Sequence, residues 1–351
     1  MFLVQFSSRN IEGKEVTRMV LTFLPLFLFG ALRVNCGDYE IYENYNGWVR
    51  SSGGNIYDVI ERMEPGYAYL NKLLPYRWLI IVTSFFSCYA YGVLFVKLIP
   101  KQYRWFGIIV FFLVADKTFY FMFSSIRNSI SIAILMIYVA YRVNNYGKER
   151  NRRKEIIKLV LATFVAYSFH ASALIFFPIA FVATIDRKIG DIELYVWTAL
   201  LIALWIIPVN QMIDNLFLFQ TDYFSRYDDY IEVSQNAGTL ARVGATIFAV
   251  LCLVFIHLSE KNDNMQYLFR LALIFAYSYM LGSLNIRISQ YFMPFMICFI
   301  ASVYMRKKES IWATSLLVFA IAFLFYSSFI AGTFGSIDQS PFVKYQISLF
   351  Q

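Results

Sequence analysis

The sequence predicts an all-α polytopic integral membrane protein, with about 11 transmembrane helices and two outer loops. Three observations predict it. The 351 residues are 59% hydrophobic and only 15% charged, where soluble chains carry about a quarter charged residues. Apolar runs recur at about the length that crosses a bilayer. Lys and Arg collect at one set of their ends, as loops on the cytoplasmic side do.

An apolar helix needs about 20 residues to cross a hydrocarbon core roughly 30 Å thick, since each residue rises about 1.5 Å. The first run, 19–34, follows Arg18 and ends near Cys36. Arg33, Val34 and Asn35 are the wrong shape for a cleavage site, so it reads as a retained span. The second run is 77–99. The third and fourth, 104–123 and 126–144, are parted only by Ser124 and Ser125, yet one helix through both would be about twice too long. A turn is expected there. Residues 157–185 divide near His170 into two short passes, 157–170 and 171–185. The remaining runs are 192–208, 241–258, 267–284, 288–305 and 310–330.

Charge supports the division at His170. With eleven passes and a cytoplasmic N-terminus, the inner side holds 20 of the 31 basic and 10 of the 23 acidic residues, a balance of +10 against −2 outside. A single pass at 157–185 would instead export Arg306, Lys307 and Lys308. The chain therefore reads as one transmembrane domain, 1–351, with outer loops at about 35–76 and 209–240. The formal charge of +8 does not point to nucleic acid, because the basic residues lie between apolar runs rather than in a surface cluster. The four cysteines show no zinc spacing, and neither a metal nor another cofactor is expected.

Ionisable residues near lipid need a partner or a task. On this topology Arg33, Arg127, His170, Arg242 and Arg287 all fall at outer helix ends, so helices far apart in sequence converge on one depth. Snorkelling to lipid phosphates is the plain alternative for each arginine. As a set they suit a diphosphate, since the guanidinium fork bonds phosphate oxygens bidentately and keeps its charge. His170 is a candidate proton acceptor, or a helix-end ring bonded to Ser168 or Ser172. His257 reads as interfacial, and Asp116 and Lys117, which as neighbours on a helix do not face one another, as residues in buried structural pairing with another helix. The outer loops, in "GDYEIYENYNGW" (37–48) and "TDYFSRYDDY" (221–230), are rich in Tyr and acidic residues. Such residues mark a membrane interface, or stack and bond on sugars. Asp38, Tyr39, Trp48, Glu64 and Tyr227 are the candidates for sugar contact, with Asp38 also a second candidate base.

The order of "ALRVNCGDYEIY" (31–42), "EPGYAYLNKLL" (64–74), "SSIRNSISIAIL" (124–135), "FHASALIFFPIAF" (169–181) and "IRISQYFMPF" (286–295) resembles the EpsG-like and Wzy-type polysaccharide polymerases. Each motif is weak alone; the order and spacing give the set its specificity. The resemblance implies a bacterial inner-membrane glycosyltransferase that lengthens an O-antigen or capsule-like glycan from undecaprenyl-diphosphate-linked repeat units. It carries over to Arg33, to Gly37, Asp38 and Tyr39, and to Arg127, His170 and Arg287. It also implies membrane lipid and a chain-length regulator protein as partners. Two other functions fit the same setting, a membrane O-acyltransferase and a lipid-linked glycan flippase or transporter. The first wants a second His or Asn on a neighbouring inner helix; the second wants internal repeats and midplane charges.

Overall fold

The computed structural model describes residues 11–35, 39–51, 63–114, 121–144, 152–177, 189–207, 239–258, 263–278, 285–306 and 346–347. Helices dominate these residues, as expected, and the only sheet among them is one two-stranded pairing. The chain divides into two compact units, Met1–Pro178 with Ser328–Gln351, and Ile179–Ser327.

The first unit begins with α1 (Ile11–Thr22) and α2 (Leu24–Ala31), then β1 (Arg33–Asn35) and α3 (Tyr39–Ser51). The run read as one span at 19–34 is thus divided at Phe23. Pro25 sits in the first turn of α2, where its missing N–H costs nothing but where it cannot continue a preceding helix. Next come α4 (Pro65–Leu73) and α5 (Tyr76–Leu98), each opened by proline chemistry: Pro65 in the first turn of α4, Pro75 just before α5. Pro100 follows the end of α5, and Arg104 closes that end by donating to the carbonyls of Val96 and Ile99. After α6 (Arg104–Leu113) and the short α7 (Phe121–Ser124), the chain breaks at Ser125 and enters α8 (Ile126–Asn144). The break falls where the length argument requires it. Ser129 Oγ donates to the Met122 carbonyl across it, satisfying an acceptor that the broken helix leaves open.

At 23 residues α5 is about 35 Å long, and Tyr76–Leu98 and Ile126–Val143 are the two described helices long and apolar enough to cross a membrane. They pack against one another, and α5 also carries α1 and α2. Small residues permit the approach: Thr83, Ser84, Ser87, Cys88, Ala90 and Gly92 are buried on α5, and a Cβ at Gly92 would lie 2.9 Å from Val20. Then α9 (Arg152–Tyr167) packs on α8, with Ser131 Oγ donating to the Ala166 carbonyl at 2.7 Å. Its outer stripe, Ile157, Val160, Leu161, Phe164 and Val165, is exposed. A soluble helix buries such a stripe; an exposed one is the kind of face that lipid covers.

The expected division near His170 is present as a change of helix type. Helix α9 ends at Tyr167, His170 is extended at φ −156° and ψ 123°, and a 3-10 turn occupies Ala171–Ile175. The rest of the sixth expected pass, and the eleventh at 310–330, lie outside the described residues. Strand β2 (Gln346–Ile347) pairs antiparallel with β1.

The second unit holds α10 (Asp191–Ile206), α11 (Thr239–Leu258), α12 (Asp263–Ser278) and α13 (Asn285–Arg306), packed in sequence order. Glu193 and Arg270 fasten α10 to α12 with a two-pronged pair, Nε to Oε1 at 2.7 Å and Nη2 to Oε2 at 2.9 Å. Exposed Ile192, Tyr195, Val196 and Ile202 give α10 an apolar outer face as well. Cys88, Cys252 and Cys298 are buried free thiols inside helices, the packing role expected of them.

Candidate functional site

The residues that could do chemistry converge in the first unit, where α4 meets the end of α9. The contact begins with a glycine. The Gly66 N–H donates to the Ser168 carbonyl at 2.7 Å, and a Cβ at 66 would lie 2.6 Å from Ser168 Oγ and 2.7 Å from that carbonyl oxygen. Only glycine allows the first turn of α4 to sit this close. Glu64, the residue that precedes α4, is thereby carried over the turn that follows α9.

Both carboxylate oxygens of Glu64 are used. Oε2 accepts from Arg127 Nη1 at 2.5 Å, and Oε1 accepts from the Ala171 N–H at 3.0 Å. Arg127 reaches it from the first turn of α8. Its Nε donates to the Tyr42 hydroxyl at 3.3 Å, and its guanidinium carbon lies 5.7 Å from the Tyr42 ring centre. Nη2 has no hydrogen-bond partner among the described residues, and the side chain is 24% exposed. One edge of the fork is therefore open to an anion, at a helix N-terminus whose dipole also favours negative charge.

His170 is buried beside this pair. Its Nδ1 accepts from the Ser172 N–H at 3.2 Å and lies 2.7 Å from Ser172 Oγ. The Ser172 bond anticipated for a helix-end ring is thus present. A neutral imidazole that accepts at Nδ1 carries its proton on Nε2, a tautomer assigned from this bonding pattern. Burial alone would raise the Glu64 carboxyl. The Arg127 charge, then His170 and the Ala171 N–H, outweigh burial and hold Glu64 below the usual carboxylate range.

Tyrosines form the wall behind the pair. Tyr42 and Tyr67 meet edge to face at 5.6 Å, Tyr39 and Tyr76 at 5.0 Å, and all four are buried. Tyr76 donates its hydroxyl to the Tyr39 carbonyl at 3.0 Å, and Asn46 bridges α3 to Asn71 and to the Leu74 carbonyl, so α3 and α4 form one platform on α5. Burial, then Glu43, raises the Tyr39 phenol above its usual value.

Arg33 is also buried. Its Nη1 donates to the Gly30 carbonyl at 2.7 Å and to Ser84 Oγ at 3.2 Å, with the guanidinium over the Phe123 ring at 5.5 Å. Those bonds tie the end of α2 to α5. Trp48 is half-buried against Tyr45 and the Val49–Ala68 contact. Arg242 belongs to the second unit. There it donates to the Leu204 carbonyl at 3.0 Å and stacks on Trp205 at 4.8 Å, capping the last turn of α10. Arg287 lies in the first turn of α13. The side chain of Arg287, together with Asp38 and Tyr227, lies outside what is described.

Of the sequence-derived candidates, the structure brings together Arg127, Glu64 and His170. It adds Tyr42, Gly66 and Ser172. Glu64 had suggested a sugar contact; the structure gives it Arg127 instead. The one sequence signal for that pairing was the Glu-Pro-Gly order, a carboxylate directly ahead of a helix start that can dock closely.

The EpsG family model matches residues 16–347, nearly the whole chain, and the chain belongs to the EpsG family. No curated protein and no solved structure matches it. Membership makes this a membrane protein of polysaccharide biosynthesis, of the glycan-polymerase type.

Proposed function

We propose that this EpsG-family chain polymerises undecaprenyl-diphosphate-linked oligosaccharide repeat units into an O-antigen or capsule-like polysaccharide. The reaction takes place at the outer face of a bacterial inner membrane, with the N-terminus in the cytoplasm. The observation that carries the reading is the open guanidinium edge of Arg127, at a helix N-terminus, next to the buried imidazole of His170. An anion receptor and a proton acceptor side by side are what transfer from a diphosphate leaving group needs.

In this mechanism Arg127 binds the diphosphate of the growing chain. A sugar hydroxyl of the incoming unit attacks the anomeric carbon. The new glycosidic C–O bond forms as the bond to the diphosphate oxygen breaks, and polyprenyl diphosphate leaves with the electron pair. The hydroxyl proton is accepted by the His170 imidazole. Asp38 is the second candidate for that proton. Tyr39 and Trp48 are assigned to the glycan, and a chain-length regulator is the expected protein partner.

The test uses purified full-length protein and lipid-linked repeat units. Arg127→Lys keeps the charge but loses the fork, and it should lower polymerisation by about 10²–10³-fold. His170→Ala should lower it by about 10²–10⁴-fold. Wild-type rates in both variants would refute the site. Product length also separates the reading from acyl transfer and from flipping, since only a polymerase lengthens the glycan.

A further inference from the structure

The Glu64 carboxylate is a two-way clamp. One oxygen holds Arg127, the proposed diphosphate ligand, and the other holds the N–H of Ala171, the residue that follows His170. Three segments distant in sequence, the start of α4, the start of α8 and the turn after α9, are fixed to one another through four atoms. Each Glu64 oxygen already accepts from a protein donor, so the carboxylate is oriented by the two segments it joins. We propose that Glu64 is the positioning residue of the site, acting through Arg127 and the His170 turn and not through contact with glycan.

The inference rests on the diphosphate reading of Arg127. It goes further by fixing which part of the reaction Glu64 serves. Its negative charge opposes diphosphate binding at Arg127, so its value to catalysis lies in orientation. Removing that charge while leaving shape should therefore slow turnover without weakening the hold on the leaving group. The charged groups that face Glu64 are Arg127 from α8 and His170 from the turn after α9. The Tyr42 hydroxyl from α3 meets the same guanidinium.

The experiment compares wild type, Glu64→Gln, Arg127→Ala and the double variant as full-length protein in lipid nanodiscs. It measures kcat for polymerisation and the Kd of undecaprenyl diphosphate. Glu64→Gln should lose about a hundredfold in kcat, the loss that a misplacement of about 1 Å produces, with a Kd equal to or tighter than wild type. Arg127→Ala should weaken Kd at least about tenfold. The double variant should lose less than the product of the two single losses, because without Arg127 Glu64 positions only the His170 turn.

A second variant guards against a folding failure in Glu64→Gln. Ala171→Pro removes the N–H that Glu64 holds, at a helix start preceded by an extended residue, where proline is tolerated. It should lower kcat about tenfold with Kd unchanged. Losses that multiply in the double variant, or wild-type kcat in both Glu64→Gln and Ala171→Pro, would overturn the positioning role and leave the diphosphate reading standing. Wild-type kcat and Kd in Arg127→Ala would overturn both.

Discussion

Arg127–Glu64 in the first unit and Arg270–Glu193 in the second each join elements distant in sequence, and the two pairs are built differently. In the second unit Arg270 meets Glu193 with two parallel bonds, Trp197 Nε1 adds a third contact to the same carboxylate at 3.3 Å, and the Arg270 side chain is only 3% exposed. Nothing there is left for a ligand. In the first unit Arg127 gives Glu64 a single bond and keeps Nη2 open, while Glu64 spends its other oxygen on the backbone beside His170. A saturated pair holds helices together; an unsaturated one holds a reactive geometry with capacity to spare.

Substitution should separate the two. Arg270→Ala strands a buried carboxylate and should destabilise the protein by about 3–5 kcal/mol, read as a lowered Tm, with turnover per folded molecule unchanged. Arg127→Ala strands a carboxylate that is no more exposed and should lower Tm as well, but it should also bring a large loss of turnover per folded molecule. Equal behaviour of the two variants would break the comparison.

A smaller effect is expected at Gly66. Gly66→Ala drives a methyl group into the Ser168 carbonyl, and its backbone cannot yield without lifting α4 off the turn. It should cost about 1–3 kcal/mol of stability and reduce turnover, because Glu64 moves with α4. A variant with wild-type turnover would mean that the docking of α4 does not set the site.

Smallest is the response to acid. The Glu64 carboxyl is lower in the folded protein than in the unfolded chain, so its contribution is full above the unfolded value and is lost as pH falls through the folded one. Thermal stability should therefore hold through mildly acidic pH and fall only below the ordinary carboxylate range. Glu64→Gln should lack that lower limb. A wild-type limb at higher pH would show that Arg127 does not hold Glu64 ionised.

The sequence carried the features set by length and hydropathy. The break at Ser125 follows from the distance across a bilayer, the one near His170 from the side on which Lys and Arg collect, and the spans Tyr76–Leu98 and Ile126–Val143 from their apolar composition. Pairing is not written in any one segment. Glu64 and Arg127 are 63 residues apart, and only the docking of Gly66 on Ser168 makes them neighbours. For the same reason, the bonds of Arg33 to Gly30 and Ser84 are visible only once α2 is packed on α5.

The most direct test of the polymerase account is the surface-glycan ladder of cells lacking the chain, complemented with wild type or with Arg127→Lys. The account predicts that long chains disappear while single repeat units remain, that wild type restores the ladder, and that Arg127→Lys does not. Loss of all surface glycan, or a full ladder from Arg127→Lys, would contradict it.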